Sequence, residues 1–245
     1  MNARTYKTAA FVLRGRNLGE ADRIFTLYTQ LRGKVDAVAK GVRRTKSHFA
    51  GRLEFLTEAE LTVHSGRSLD VITGATILRS EWEALVEPAR FAVAGLVAEL
   101  VDAFCEPDLA QAEIYALLRG VVPAVAAAQD PRSLLPRFEL RLLDALGLAP
   151  VLDRCVVCQG ALDDGPAHFD PASGGLVCAT CTSAPSRDLL DAAEIRNVRA
   201  LAAPRGAAAT VAARPAVARA IDAFVTYHLG KRARSIALLD ELAHT

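Results

Sequence analysis

Four cysteines offer the most specific chemistry in this chain. Cys155 and Cys158 form one Cys-x-x-Cys pair and Cys178 and Cys181 another, with the 19 residues from Gln159 to Val177 between them, a spacing typical of zinc-ribbon sites. A two-residue spacer lets a tight turn aim both sulfurs at one ion. Two such knuckles complete a tetrahedron with metal–sulfur distances of about 2.3 Å. The expected occupant is one structural Zn2+ ion, because four thiolates leave no coordination position for water or substrate, and metal binding then becomes folding energy for a polar loop. Disulfides are the competing outcome, disfavoured by the knuckle spacing and by a reducing compartment. A redox Cys-x-x-Cys would not need the second pair. Cys105 stands alone in an apolar helical stretch and reads as a small hydrophobe. His168, between the pairs, is left outside a set that four sulfurs already fill.

Cations form the second candidate chemistry. Lys40, Arg43, Arg44 and Lys46 lie in one short basic segment, flanked by Arg32, Lys34 and Arg52. Such a group would neutralise phosphates and release counterions without reading base sequence. Gly41 would let the backbone approach closely, and Tyr28, Phe49 or Phe55 would offer rings for base stacking, although rings in a small barrel more often fill the core. A second cluster, Lys231, Arg232 and Arg234, follows Gly230, where a helix C-cap and its dipole would also favour cations. The chain has no Gly-x-x-x-x-Gly-Lys-Ser/Thr phosphate loop, no Gly-x-Ser-x-Gly elbow and no His-Glu-x-x-His. The expectation is a binding protein and not an enzyme. A metal-dependent nuclease would have to draw on Glu20, Asp22, Glu54, Glu58 or Glu60.

These residues require scaffolds of two kinds. Net charge over the 245 residues is +1, yet residues 1–80 carry 14 Lys and Arg against 7 Asp and Glu, and residues 81–245 carry 15 against 21. The basic part reads as five short strands, at 7–14, 23–29, 34–40, 53–64 and 69–78, from alternation such as Ile24, Thr26, Tyr28 and Val35, Ala37, Ala39, with Gly33, Gly41, Gly51 and Gly66 near the breaks. Five short strands suit a small partly open barrel of the OB-fold type. Beyond residue 80 the apolar spacing turns helical, at 88–106, 110–128, 132–147, 188–203, 214–229 and 235–242. Asp130 and Pro131 would open the third helix and Gly147 would end it. The fold expected is therefore α+β: an OB-fold at 1–80, then a helical domain at 81–245 with a four-cysteine zinc finger inserted at about 153–183. The alanine-rich stretch 202–218 is compatible with helix or loop. No apolar run approaches the roughly 20 residues of a membrane span, and the N-terminus has no signal-peptide pattern, so the expected location is the cytoplasm, with nucleoid association expected only if the cations bind DNA.

Several segments together resemble a known family. Gly19-Glu20-Ala21-Asp22-Arg23-Ile24, Tyr28-Thr29, Gly33-Lys34-Val35, Ala39-Lys40-Gly41-Val42-Arg43-Arg44 and Gly51-Arg52-Leu53-Glu54 resemble the start of the RecO DNA repair family, and Tyr227-His228-Leu229-Gly230 with Ser235 resembles its C-terminal signature. The resemblance implies a recombination mediator that binds single- and double-stranded DNA, anneals complementary strands, and helps load the RecA recombinase onto strands coated by single-stranded DNA-binding protein. The partners implied are DNA, the RecR protein, the C-terminal tail of the single-stranded DNA-binding protein and, indirectly, RecA. Some family members lack the cysteines, so the metal would be architectural. The rival readings are a zinc-stabilised nuclease and a sequence-specific DNA-binding regulator.

Overall fold

Strand formation in the first 80 residues follows the two-residue side-chain period, but residues 10–13 and 24–29 are buried on both faces of their strands. A computed structural model describes residues 5–162, 165–204 and 211–243. Its first five strands are β1 (Thr5–Leu18), β2 (Asp22–Thr29), β3 (Gly33–Ala39), β4 (Glu58–His64) and β5 (Asp70–Arg79). They close into a barrel in the order β1-β2-β3-β5-β4, the expected OB-fold. β1 is long because its first half pairs with β4 and its second half with β2, and an irregularity between Val12 and Arg14 lets it bend from one to the other. The inner face carries Phe25 and Leu27 of β2 opposite Ala37 and Val35 of β3. Ala37 and Ala39 are small where Phe25 is large, as a five-strand interior requires. Ile24, Thr26 and Tyr28 face outward, yet all three are buried.

Helices cover that outer face. After a short α1 (Trp82–Leu85), absent from the sequence expectation, come α2 (Pro88–Phe104) and α3 (Ala112–Ala127). Glu87 caps α2, its carboxylate accepting from the N–H groups of Ala89 and Arg90. α2 packs against β1, α1, α3 and the last helix, α7 (Arg234–Ala243), so it is apolar on nearly all sides and not amphipathic. The Tyr28 hydroxyl donates to the Gln111 carbonyl, and the Phe11 and Tyr115 rings meet at 5.4 Å. Gly33 has a left-handed backbone, and a Cβ there would lie 2.0 Å from the Leu109 carbonyl oxygen, so only glycine permits this approach. Glu99 of α2 grips the start of α7: its carboxylate accepts from the Arg234 and Ser235 N–H groups and from the Ser235 hydroxyl, each within 2.8 Å.

Residues 1–131 and 234–245 thus form one compact unit and Arg132–Ala233 a second. Compactness divides the chain differently from the change of secondary structure near residue 80, because α1 to α3 and α7 belong with the barrel. The second unit contains α4 (Leu135–Ala145), α5 (Ala192–Ala202) and α6 (Pro215–Leu229), and a three-stranded sheet of β6 (Ala167–Asp170), β7 (Gly175–Cys178) and β8 (Leu189–Leu190) in the order β7-β6-β8. Two helix starts differ from expectation. Pro131 opens a 3-10 turn, Pro131–Leu134, and the α-helix begins only at Leu135, with Pro136 in its first turn. The helix placed at 188 starts at Ala192, because Leu189 and Leu190 pair with β6 and Asp191 with Glu194 forms a capping box. Part of the alanine-rich stretch, 205–210, lies outside the described residues.

Two carboxylates make the fold testable by pH. Partial burial raises the pKa of Glu99, but the two N–H donors and the Ser235 hydroxyl outweigh it and hold the group below its ordinary value. Its grip is therefore complete above the ordinary carboxyl range and is lost as pH falls through the depressed value. Glu99→Gln should cost about 1 kcal/mol of helix anchoring, read as faster amide exchange in α7 than in β2. Glu139 on α4 has the opposite sign. Burial, then the charge of Asp222, raises its pKa to about 8, so the folded chain keeps a proton there that the unfolded chain has lost. Stability of the second unit should fall as pH rises from about 4.3 toward 8, by at most about 1.4 kcal/mol per pH unit. Denaturation of Glu139→Gln across that window should show the slope removed; an unchanged slope would refute the assignment.

Candidate metal centre and nucleic-acid interface

The first knuckle is a tight turn off the start of the finger. Cys155 N–H donates to the Gly160 carbonyl and Gln159 N–H returns to the Cys155 carbonyl, which fixes a turn with Cys158 at its exposed side. The second knuckle begins where β7 ends: Cys181 and Thr182 N–H groups both donate to the Cys178 carbonyl. The β6–β7 hairpin, registered from Ala167↔Cys178 to Asp170↔Gly175, carries the second turn toward the first. All four sulfurs lie within 4.8 Å of one another, and those of Cys158 and Cys178 are 3.8 Å apart. A tetrahedral ion with bonds of about 2.3 Å needs sulfurs roughly 3.8 Å apart, so the set fits a single ion. Cys155 is buried and accepts N–H donors from Val157 and Cys178 at 3.4 Å. Backbone N–H donation, led by Cys158 and Cys178, lowers its pKa to about 6, favouring the thiolate that a metal binds. His168 lies outside the cluster, paired with Val177 across the hairpin. Cys105 lies just beyond the end of α2, where burial pushes its thiol up to about 12.

The basic segment is a loop of successive turns after β3 that covers the barrel end. Phe49 and Leu53 reach inward from it into the core, and the Arg43 N–H donates to the Ala21 carbonyl of the β1–β2 turn. Lys40, Arg43, Arg44 and Lys46 are exposed, and among the described residues none has an ion-pair partner. Arg52 is exposed as well and donates to the Ala75 carbonyl. Arg32 and Lys34 differ. Arg32 pairs with Asp70 at 2.6 Å and with Asp108, and also donates to the Tyr6 hydroxyl. Lys34, mostly buried, lies 3.6 Å from the Asp102 carboxylate and donates to its backbone carbonyl. Their charges are neutralised inside the unit. Tyr28 and Phe49 are core residues, and the half-buried Phe55 packs against the Phe91 ring, tilted by 53° with centroids 5.6 Å apart, so none of the three is a free-standing ring. In the second cluster, Gly230 is the left-handed C-cap of α6, with exposed Lys231 and Arg232 after it, whereas Arg234 is the first residue of α7.

Family models cover nearly the whole chain. Residues 1–81 match the family model described as Recombination protein O N terminal, and residues 86–236 match Recombination protein O C terminal. The chain belongs to the RecO family. It is 36% identical to the DNA repair protein RecO of Anaeromyxobacter sp. (strain Fw109-5), over 96% of both chains. It is also 36% identical to the RecO proteins of Nocardioides sp. (strain ATCC BAA-499 / JS614) and Thermobifida fusca (strain YX), over 96% of this chain and 99% and 98% of theirs. RecO membership gives the chain a role in DNA repair and recombination. No helix among the described residues is long and apolar enough to cross a membrane.

Reading the sequence missed the residues that brace each site. Arg199 of α5 donates to the Leu152 and Leu162 carbonyls at 2.7 and 2.8 Å, clasping both flanks of the first knuckle. Nothing in its local sequence marks it, since its partners are backbone oxygens 47 and 37 residues away. The carboxylates that bind Arg32 and Lys34 are also remote in sequence, 38 to 76 residues away. Arg32→Ala should therefore leave the salt dependence of DNA binding unchanged and destabilise the barrel unit by about 1–3 kcal/mol, through loss of the partner of buried Asp70. A reduced salt slope with unchanged stability would return Arg32 to the DNA interface.

Proposed function

We propose that this RecO family member is a recombination mediator that holds the phosphate backbone of single- and double-stranded DNA on the basic loop at the barrel end. It anneals complementary strands and helps RecA load onto single strands coated by single-stranded DNA-binding protein. The supporting observation is the set Lys40, Arg43, Arg44 and Lys46, exposed together with Arg52 on an OB-fold and not compensated by carboxylates among the described residues. Lys231, Arg232 and Arg234 supply a second phosphate contact. DNA, RecR and the C-terminal tail of the single-stranded DNA-binding protein are the proposed partners, in the cytoplasm.

Cys155, Cys158, Cys178 and Cys181 hold one structural zinc ion in this reading. When bound, the ion supplies the cross-link that orders the finger; the chain's residues supply the turns and the Arg199 clasp. The rival nuclease reading needs carboxylates turned toward one catalytic ion. Three of the five candidates are engaged elsewhere: Glu58 accepts from the Tyr115 hydroxyl and pairs with Arg119, Asp22 accepts from the Gly41 N–H, and Glu60 pairs with Lys7.

Three measurements test these points. Changing Lys40, Arg43, Arg44 and Lys46 together to Ala should flatten the plot of log affinity against log salt by up to about four contacts' worth, roughly 0.7–0.9 per contact; an unchanged slope would remove the loop from the interface. The chain should accelerate annealing of complementary strands with and without single-stranded DNA-binding protein, and failure in both would count against the mediator. Metal analysis should return one zinc per chain, and chelation should raise amide exchange in β6 to β8 while β1 to β5 stay protected and DNA still binds. Loss of all DNA binding on chelation would mean that the finger is part of the interface.

A further inference from the structure

A closed five-strand barrel turns its rings inward, which raises the question of what could distinguish a single strand from a duplex. Among the aromatic and imidazole rings of β1 to β5 and their loops, Phe11, Phe25, Tyr28 and Phe49 are buried. Tyr6 and His64 are half-buried and hydrogen-bonded to Asp70 and Thr5, and Phe55 is paired with Phe91. His48 alone among them is exposed.

Its placement is not that of a loose surface side chain. The His48 ring lies with its centroid 3.8 Å from that of Phe49, tilted by 41°. Phe49 is itself fixed, 2% exposed among the inner-barrel residues. The loop that carries both is held by successive turn bonds, from the Arg44 N–H to the Gly41 carbonyl and from the Ser47 N–H to the Arg44 carbonyl, and the Phe49 N–H donates to the Ser47 hydroxyl. One side of the imidazole is thus backed by a core ring while the residue remains exposed, in the same turn sequence as Arg43, Arg44 and Lys46. A flat, restricted ring beside phosphate-binding cations is what stacking of a base requires. In a duplex the base faces are already covered by their neighbours, so only an unpaired base can use it.

We propose that His48 is a stacking platform for an unpaired base, which would give the basic loop a preference for single-stranded over double-stranded DNA. This rests on the loop being the DNA-binding surface. Binding of His48→Ala and His48→Phe to a thymidine 20-mer and to a duplex of the same length, at one salt concentration, tests it. A single-stranded oligonucleotide carrying 2-aminopurine reports stacking by its fluorescence. His48→Ala should weaken single-strand binding about five- to tenfold, the lower end of the range for one stacked base, with the duplex affected less than twofold. His48→Phe should restore single-strand affinity and quench 2-aminopurine at least as strongly as the parent. Equal weakening for both DNAs, no weakening for either, or failure of His48→Phe to restore binding would each overturn the stacking role. The fourfold Lys40, Arg43, Arg44 and Lys46 variant separates the two ideas. If it loses DNA binding while His48→Ala does not, the platform alone fails; if it binds normally, the loop assignment fails with it.

Discussion

The parallel seam between β3 and β5 is the constraint on which the first unit depends. Only three residue pairs close the barrel there, Ala37↔Asp70, Val38↔Val71 and Ala39↔Ile72. So short a seam needs help at its ends. Asp70 supplies it: its buried carboxylate accepts from the Tyr6 hydroxyl of β1 and from Arg32, whose second branch reaches Asp108 in the loop after α2. A buried carboxylate without partners would oppose folding. Partnered in this way, it ties the seam, the first strand and the helical cover together. The division of labour among the barrel's cations follows. Those near the seam are engaged by carboxylates, and those on the loop after β3 are exposed with no ion-pair partner among the described residues.

Closure also decides what the aromatic residues can do. Phe25 and Phe49 fill a space that Ala37 and Ala39 leave open. Rings assigned to that interior cannot meet a ligand, whatever their position in the sequence. The loop after β3 resolves this by alternating roles along the chain, with Phe49 and Leu53 reaching inward and the cations and His48 reaching outward.

Much of this was legible in the residues. The five strands, the barrel type, the helical remainder and the cysteine pairing all follow from local periodicity and spacing, which act over a few residues. What stayed hidden depends on distant partners. Alternation in Ile24, Thr26 and Tyr28 is visible in the sequence, but both faces of β2 are buried, and only the presence of α2 and α3 tells which side is the interior. Leu189 and Leu190 look helical until β6 offers them a pairing edge. Arg32 and Lys34 look like Lys40 and Arg43 in sequence, and differ only because Asp70, Asp102 and Asp108 approach from 38 to 76 residues away. The compact division at 131 and 234 was unreadable for the same reason, since no composition change marks it.

The return of the chain to its first unit through α7 gives protein synthesis a part in the fold. A ribosome makes the barrel strands first, the finger later, and the helix that Glu99 grips later still. Until then the apolar side of α2 that α7 covers has no lid, while the intervening unit already has all its own elements. A released chain that stops after Ala233 therefore carries every element of the second unit but lacks the helix that covers α2, and its first unit exposes a bare hydrophobic strip. Such a product is a natural target for chaperones and proteases.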